Sequence, residues 1–214
     1  MIKVWGRATS SNVQAVMWAL AEIGLECERV DVGGAFGGTD TQEYRRMNPN
    51  GLVPVLQDGD LTLFESAAIV RYLGARYGSE AFWPADPARR APLDVWAEWI
   101  KTTFGPAFLP GIFWPLIGQK PGERDAKAFA ASEARVKRLA GMLDERLGQM
   151  TTPFLGRETP CFADMIVGMP LYRYFTLDFD RADTPHLRAY YDRLTQRPAY
   201  AKHVMVSYES LRAK

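Results

Sequence analysis

Between Ile2 and Val32 the chain passes through a short apolar strand, a glycine turn, an amphipathic helix and a second strand, and that order leaves few folds open. Ile2 to Trp5 is short, apolar and partly β-branched, as a buried strand requires. After Gly6, Ser10 and Ser11 stand in N-cap position before Val13, Val16, Met17, Leu20 and Ile23, an i, i+3, i+4, i+7 stripe that Gly24 stops. Cys27 to Val32 reads as the next strand. Two strands joined through a helix in one sheet run parallel by a right-handed crossover, so the chain opens with a βαβ unit.

The continuation extends this unit into a small sheet. A glycine-rich loop, Gly33 to Thr39, leads to a short helical stretch, Gln42 to Met47, and then to the turn Asn48-Pro49-Asn50-Gly51. The glycines are not a dinucleotide fingerprint, because no long helix begins on them. Val53 to Gln57 reads as a strand with a proline inside it, which implies an edge, a bulge or a cis bond. Asp58-Gly59 is a hairpin signal, so this strand should pair antiparallel with Leu61 to Phe64. Glu65-Ser66 then opens a helix with Ile69, Tyr72 and Leu73 inward. The order βαβαββα over residues 1–80 predicts a sheet covered by helices.

Pro84, Pro87 and Pro92 mark residues 81–92 as a linker, and everything from 93 to 214 reads helical. The clearest helix runs from Glu123 to Leu147, with Phe129, Val136, Leu139, Leu143 and Leu147 on one face. Thr184-Pro185 starts the last well-marked helix and Pro198 stops it. The expectation is two domains, α/β then all-α.

Composition narrows the function. Lys plus Arg number 26 against 25 Asp plus Glu, so no electrostatic argument favours nucleic acid or an acidic membrane. No apolar run is long enough for a signal peptide or a membrane span, and a cytoplasmic protein is expected. The two cysteines, Cys27 and Cys161, are too few and too far apart for a redox pair, a disulfide framework or a compact metal site, and no metal is expected. His186 and His203 lack any partner pattern. A small molecule or a second copy of the chain is the expected partner.

Three motifs, in order, carry a resemblance. They are the serine-containing loop and helix at Ser10-Ser11, then Asn48-Pro49-Asn50-Gly51-Leu52-Val53-Pro54-Val55-Leu56, then Glu65-Ser66-Ala67-Ala68-Ile69-Val70-Arg71-Tyr72-Leu73. Together they resemble the glutathione-binding domain of the cytosolic glutathione transferase superfamily. Phe162 to Met165 and Leu187 to Tyr200 are similar to the family's central capped helix and late helix. The resemblance implies a thioredoxin-like N-terminal domain, a C-terminal helical bundle, glutathione as co-substrate and a homodimer.

It also implies roles. A free thiol has a pKa near 8.5, so a transferase must stabilise the thiolate. A hydroxyl at a helix N-terminus does so by a charge-assisted hydrogen bond backed by unpaired amides. The serine-type pattern puts this hydroxyl on Ser10, with Ser11 and Asn12 as rivals; a plain helix cap is the alternative. Val53-Pro54 resembles the family's cis-proline turn, whose free backbone groups pair with the cysteinyl part of glutathione, and Leu52 belongs to the same segment. Ser66 would hold the γ-glutamyl carboxylate and Glu65 its ammonium. Leu52 and the 33–39 loop lack the basic residues that grip the glycyl carboxylate in many relatives, and Arg7 is the candidate to replace them. Among Trp96, Trp99, Phe104, Phe108, Phe113 and Trp114, the pocket for a hydrophobic electrophile is expected to draw on Phe104, Phe108 and Trp114. Cys161 is read as a structural helix cap completed by Asp164.

Attack of glutathione thiolate on a small electrophile is the leading expectation. The same half-site also fits a glutathione-dependent reductase, peroxidase or isomerase. A non-catalytic glutathione-binding relative is the reading from a different class.

Overall fold

A computed structural model describes residues 1–120, 122–155 and 158–213. The N-terminal sheet contains β1 (Ile2–Trp5), β2 (Cys27–Val30), β3 (Val55–Asp58) and β4 (Leu61–Phe64) in the order β2-β1-β3-β4. β1 pairs parallel with β2 and antiparallel with β3, and β3 pairs antiparallel with β4. The helix α1 (Ser11–Ile23) makes the crossover, α2 (Gln42–Met47) precedes β3, and α3 (Ser66–Tyr77) follows β4. The thioredoxin-like architecture expected from the motifs is therefore present. The third strand starts two residues later than the periodicity suggests, at Val55, because Pro54 has no N–H to give the ladder.

The proline-rich stretch is a linker only to Asp86. The Asp86 carboxylate accepts from Ala88 N and caps α4 (Pro87–Trp99), with Pro87 in the first turn, where a missing N–H costs nothing. Pro92 lies inside this helix, six residues in, so it is no boundary. The helix then runs on through two π-helical stretches, Ile100–Phe104 and Leu109–Phe113, that alternate with α5 (Gly105–Phe108) and α6 (Trp114–Ile117). Pro106, Pro110 and Pro115 each remove a donor from the regular ladder, and the wider turns accommodate them.

The remaining bundle contains α7 (Ala126–Gly148), α8 (Phe162–Gly168), α9 (Leu171–Thr176), α10 (Pro185–Thr195) and α11 (Pro198–His203). Pro198 ends one helix only by starting the next, again from the first turn. Asp164, fully buried, accepts from the backbone of Cys161 at 2.8 Å and Leu155 at 3.2 Å and from the Tyr190 hydroxyl at 2.6 Å. Cys161 and Asp164 thus form the expected structural cap.

One continuous core joins the two halves. α1 packs on α3 within the sheet domain and on α8 and α11 of the bundle. Trp18 is fully buried there, edge-on to Tyr200 at 4.8 Å between centroids. A side chain of this size removes about 150–250 Å² from water, worth about 4–6 kcal/mol. Gly168 permits the approach, since a Cβ at that position would lie 2.9 Å from the Trp18 ring. The N-terminus of α1 is thereby fixed against both halves of the chain, and the cleft lies there.

Candidate active site

The cleft, about 380 Å³, is lined from the sheet domain by Arg7, the run Thr9 to Asn12, Gly33, Gly34, Thr39 and Gly51 to Val53. Leu109, Trp114, Arg173 and Leu211 line it from the other side. Its central feature is the start of α1. Ser10 is the N-cap residue, in extended conformation, yet its hydroxyl makes no capping bond. The first turn holds no acidic side chain, so the positive end of the helix is not neutralised from within. Gly6 lets the preceding turn sit close to the helix; a Cβ there would come within 2.4 Å of Val13.

Asn12 is oriented by a contact absent from the sequence reading. Lys101, mostly buried in the first π-helical stretch, donates from Nζ to Asn12 Oδ1 at 2.9 Å and to Ser66 Oγ at 3.1 Å. Ser66 Oγ also donates to Asn12 Oδ1 at 3.0 Å. An ammonium offers donors only, so Asn12 must present its oxygen to Lys101, and among the described residues its amide N–H groups have no partner. Burial pushes the Lys101 pKa down, while the Glu65 and Glu98 carboxylates partly offset this.

Ser66 is buried in the first turn of α3. Glu65, exposed, is the single non-glycine residue with positive φ, 69°, among the described residues. Such a conformation costs of order 1–3 kcal/mol and concentrates at functional positions.

The Val53-Pro54 peptide is cis. Val53 precedes the β3 ladder, and among the described residues neither its N–H nor its C=O takes a hydrogen-bond partner. The neighbouring Leu52 carbonyl is instead held by the Tyr44 hydroxyl and Asn48 Nδ2, each at 2.8 Å. The Leu52 side chain is 64% exposed at the rim.

Two arginines share the cleft. Arg173, on α9, is 4% exposed, donates from Nη2 to Thr9 O at 2.6 Å and lies over the Phe113 ring at 4.2 Å. Burial, with a further contribution from Arg7, lowers its pKa to about 10. Arg7 packs along Gly33 and Gly34, where a Cβ on Gly34 would meet its side chain at 3.0 Å. Its Nε is buried without a partner among the described residues.

The structure thus gathers Arg7, Ser10, Ser11, Asn12, Leu52 and Val53 around one cleft, with Ser66 joined to it through Asn12 and Lys101. Pro54 lies buried beneath, and Glu65 flanks Ser66. Of the three expected pocket aromatics only Trp114 lines the cleft. Phe104 and Phe108 are fully buried and stack on each other at 5.7 Å inside the bundle, beside Tyr174. Their i, i+4 spacing puts both on the core stripe, and Leu109 and Leu211 line the cleft beside Trp114. Arg173 had a signal in the sequence: from Phe162 to Phe175 the only charges are Asp164 and Arg173. Lys101 had little, because a lysine on a helix is ordinarily solvated.

Comparison with known proteins gives the family. Residues 1–75 match the family model for the glutathione S-transferase N-terminal domain, and residues 86–198 match the C-terminal domain. The chain is 39% identical over 208 residues to glutathione S-transferase GstB of Escherichia coli K12, covering 96% of this chain and 99% of that protein. It is 32% identical to a probable glutathione S-transferase, GSTF1, of rice, with 94% of each chain covered. Among solved structures, the theta class glutathione S-transferase of Xanthomonas axonopodis pv. citri with glutathione bound superposes with a TM-score of 0.90 at 42% identity, covering 96% of this chain and 98% of that one. With both of its domains matched, a thioredoxin-like sheet domain followed by a helical one, the chain belongs to the glutathione S-transferase family and is a transferase.

Proposed function

We propose that this enzyme binds glutathione along the cleft, activates its sulfur as thiolate at the start of α1 and directs it at a small electrophile. The observation that carries the reading is the convergence of unused donors on one place: the Ser10 hydroxyl and the Asn12 amide at an unneutralised helix N-terminus. A thiolate there accepts two side-chain hydrogen bonds and the helix-end field. The free N–H and C=O of Val53 are suited to the cysteinyl backbone, pairing as an added strand would. Ser66 and the third N–H of Lys101 suit the γ-glutamyl carboxylate, with Glu65 opposite its ammonium.

The chemistry is nucleophilic addition or substitution. The sulfur pair forms the bond to carbon, a leaving group departs with its own pair where there is one, and the thiol proton passes to water. The protein supplies thiolate population and proximity. No cysteine lines the cleft among the described residues, which favours this over a mixed-disulfide reductase mechanism.

A homodimer belongs to the same proposal. Leu61 and Phe64 on β4 and Val95 on α4 are exposed large apolar side chains, Val95 at 62%, and a second copy would cover them.

The deciding measurement is a calorimetric titration with glutathione followed by thiolate absorbance against pH. Saturable binding with a depressed thiol pKa is expected. Binding with an ordinary thiol pKa would reduce the protein to a glutathione carrier, and absence of binding would end the proposal.

A further inference from the structure

Arg7 and Arg173 are an unusual pair to leave in an enzyme cleft. Both are at least partly buried, Arg173 almost completely, and their charges repel across the same space. Among the described residues neither forms an ion pair with a carboxylate. Burying like charges without counter-charge is costly, and native structures keep such arrangements where a ligand resolves them. Tethering α9 to the α1 loop accounts for one Arg173 nitrogen, through Thr9 O, but not for the buried Arg7 Nε without a partner.

The position of the pair selects its ligand. Arg173 arises from the helical domain and bonds the carbonyl of Thr9, the residue before Ser10. Leu109, Trp114 and Leu211, from the same half, form the apolar wall beside it. The positive charge therefore borders the side of the sulfur on which an acceptor substrate enters. Arg7, whose side chain has no hydrogen bond among the described residues, and the Arg173 nitrogens not bound to Thr9 O can together hold a planar carboxylate.

We propose that Arg7 and Arg173 form a receptor for a carboxylate carried by the electrophile, so that this transferase prefers small acidic acceptors over neutral ones of the same shape. The inference rests on the transferase reading above. In the reaction, the thiolate pair bonds the electrophilic carbon, a halide leaves with the bonding pair, and the substrate carboxylate stays ionised between the arginines throughout.

The test compares 4-chloro-3-nitrobenzoate with 4-chloro-3-nitrobenzamide, alike in shape and differing in charge, each corrected for its uncatalysed reaction with glutathione. Wild type is expected to favour the acid at least tenfold in kcat/KM. Arg7→Gln and Arg173→Lys should each lower that ratio several-fold, and 0.5 M salt should lower it much less than for a surface pair. Folding of each variant is checked by thermal melting, and glutathione affinity by calorimetry. Equal use of acid and amide by wild type, with glutathione still bound, would overturn the carboxylate receptor and leave the transferase reading standing. A ratio unmoved by either variant while glutathione affinity falls would overturn it too, assigning the arginines to the glycyl carboxylate of glutathione. Failure of wild type to bind glutathione at all would remove both proposals.

Discussion

The Lys101 ammonium lies 2.9 Å from Asn12 Oδ1 and joins the start of α1 to Ser66 at the start of α3. This contact reaches from the helical domain into the sheet domain and sets which end of the Asn12 amide faces the cleft. Replacing Lys101 by Met should release Asn12 and remove one charge from the γ-glutamyl site proposed above. A hydrogen bond involving a charged group is worth about 1.5–3 kcal/mol, so kcat/KM for glutathione should fall about ten- to a hundredfold. Steady-state kinetics at varied glutathione checks this; an unchanged value would make Lys101 a packing residue only.

On the proposed thiolate site, Ser10→Ala and Asn12→Ala should each raise the pKa of bound glutathione thiol by about one to two units, since each would remove one charge-assisted bond and a unit corresponds to about 1.4 kcal/mol. Thiolate absorbance against pH reads the shift. If only one variant moves it, that side chain alone contacts sulfur.

Arg197 holds Glu22 through Nε at 2.8 Å and Nη2 at 2.6 Å, and Trp18 Nε1 donates to the same carboxylate at 2.9 Å. The Glu22 side chain is 7% exposed and that of Arg197 33%, so the bidentate pair links α1 to the α10–α11 turn with its carboxylate end shielded from water. Glu22→Ala leaves Arg197 and the indole N–H without that partner and should lower stability by about 2–4 kcal/mol. Urea unfolding measures the difference, and a loss within 0.5 kcal/mol, about that of an ordinary surface substitution, would contradict it.

Tyr77 and Tyr72 both donate to Asp58 Oδ2, at 2.5 and 2.8 Å, tying the end of β3 to α3. The Tyr77 bond is the main reason that the Asp58 carboxyl sits below its usual pKa. A depressed folded pKa gives stability that is present above the unfolded carboxylate value and is lost as pH falls through the folded one. Wild type should therefore exceed Tyr77→Phe in stability at pH 7, with the gap closing toward pH 3. Paired urea titrations at the two pH values test the sign.

Sedimentation should give twice the 24.1 kDa chain mass, and Phe64→Glu, which places a charge on the exposed β4 face, should shift it toward the single chain. A wild-type protein that sediments as one chain at micromolar concentration would remove the dimer proposal.

The sequence by itself determined the architecture and one wall of the cleft. The stripe Val13, Val16, Leu20, the Asp58-Gly59 hairpin and the Glu65-Ser66 start are local patterns, and local patterns are set by periodicity and turn chemistry over a few residues. Ser10, Asn12, Val53 and Ser66 were legible because each lies at such an element boundary. Only the tertiary structure decided the other wall. Lys101 stands 89 positions from Asn12 and Arg173 164 positions from Thr9, distances at which no spacing rule acts. The aromatic run 96–114 had enough apolar residues for core and pocket alike. Along this helix, with its two π-helical stretches, Phe104 and Phe108 face inward and Trp114 lines the cleft, because rotation about a helix axis depends on the whole ladder before it.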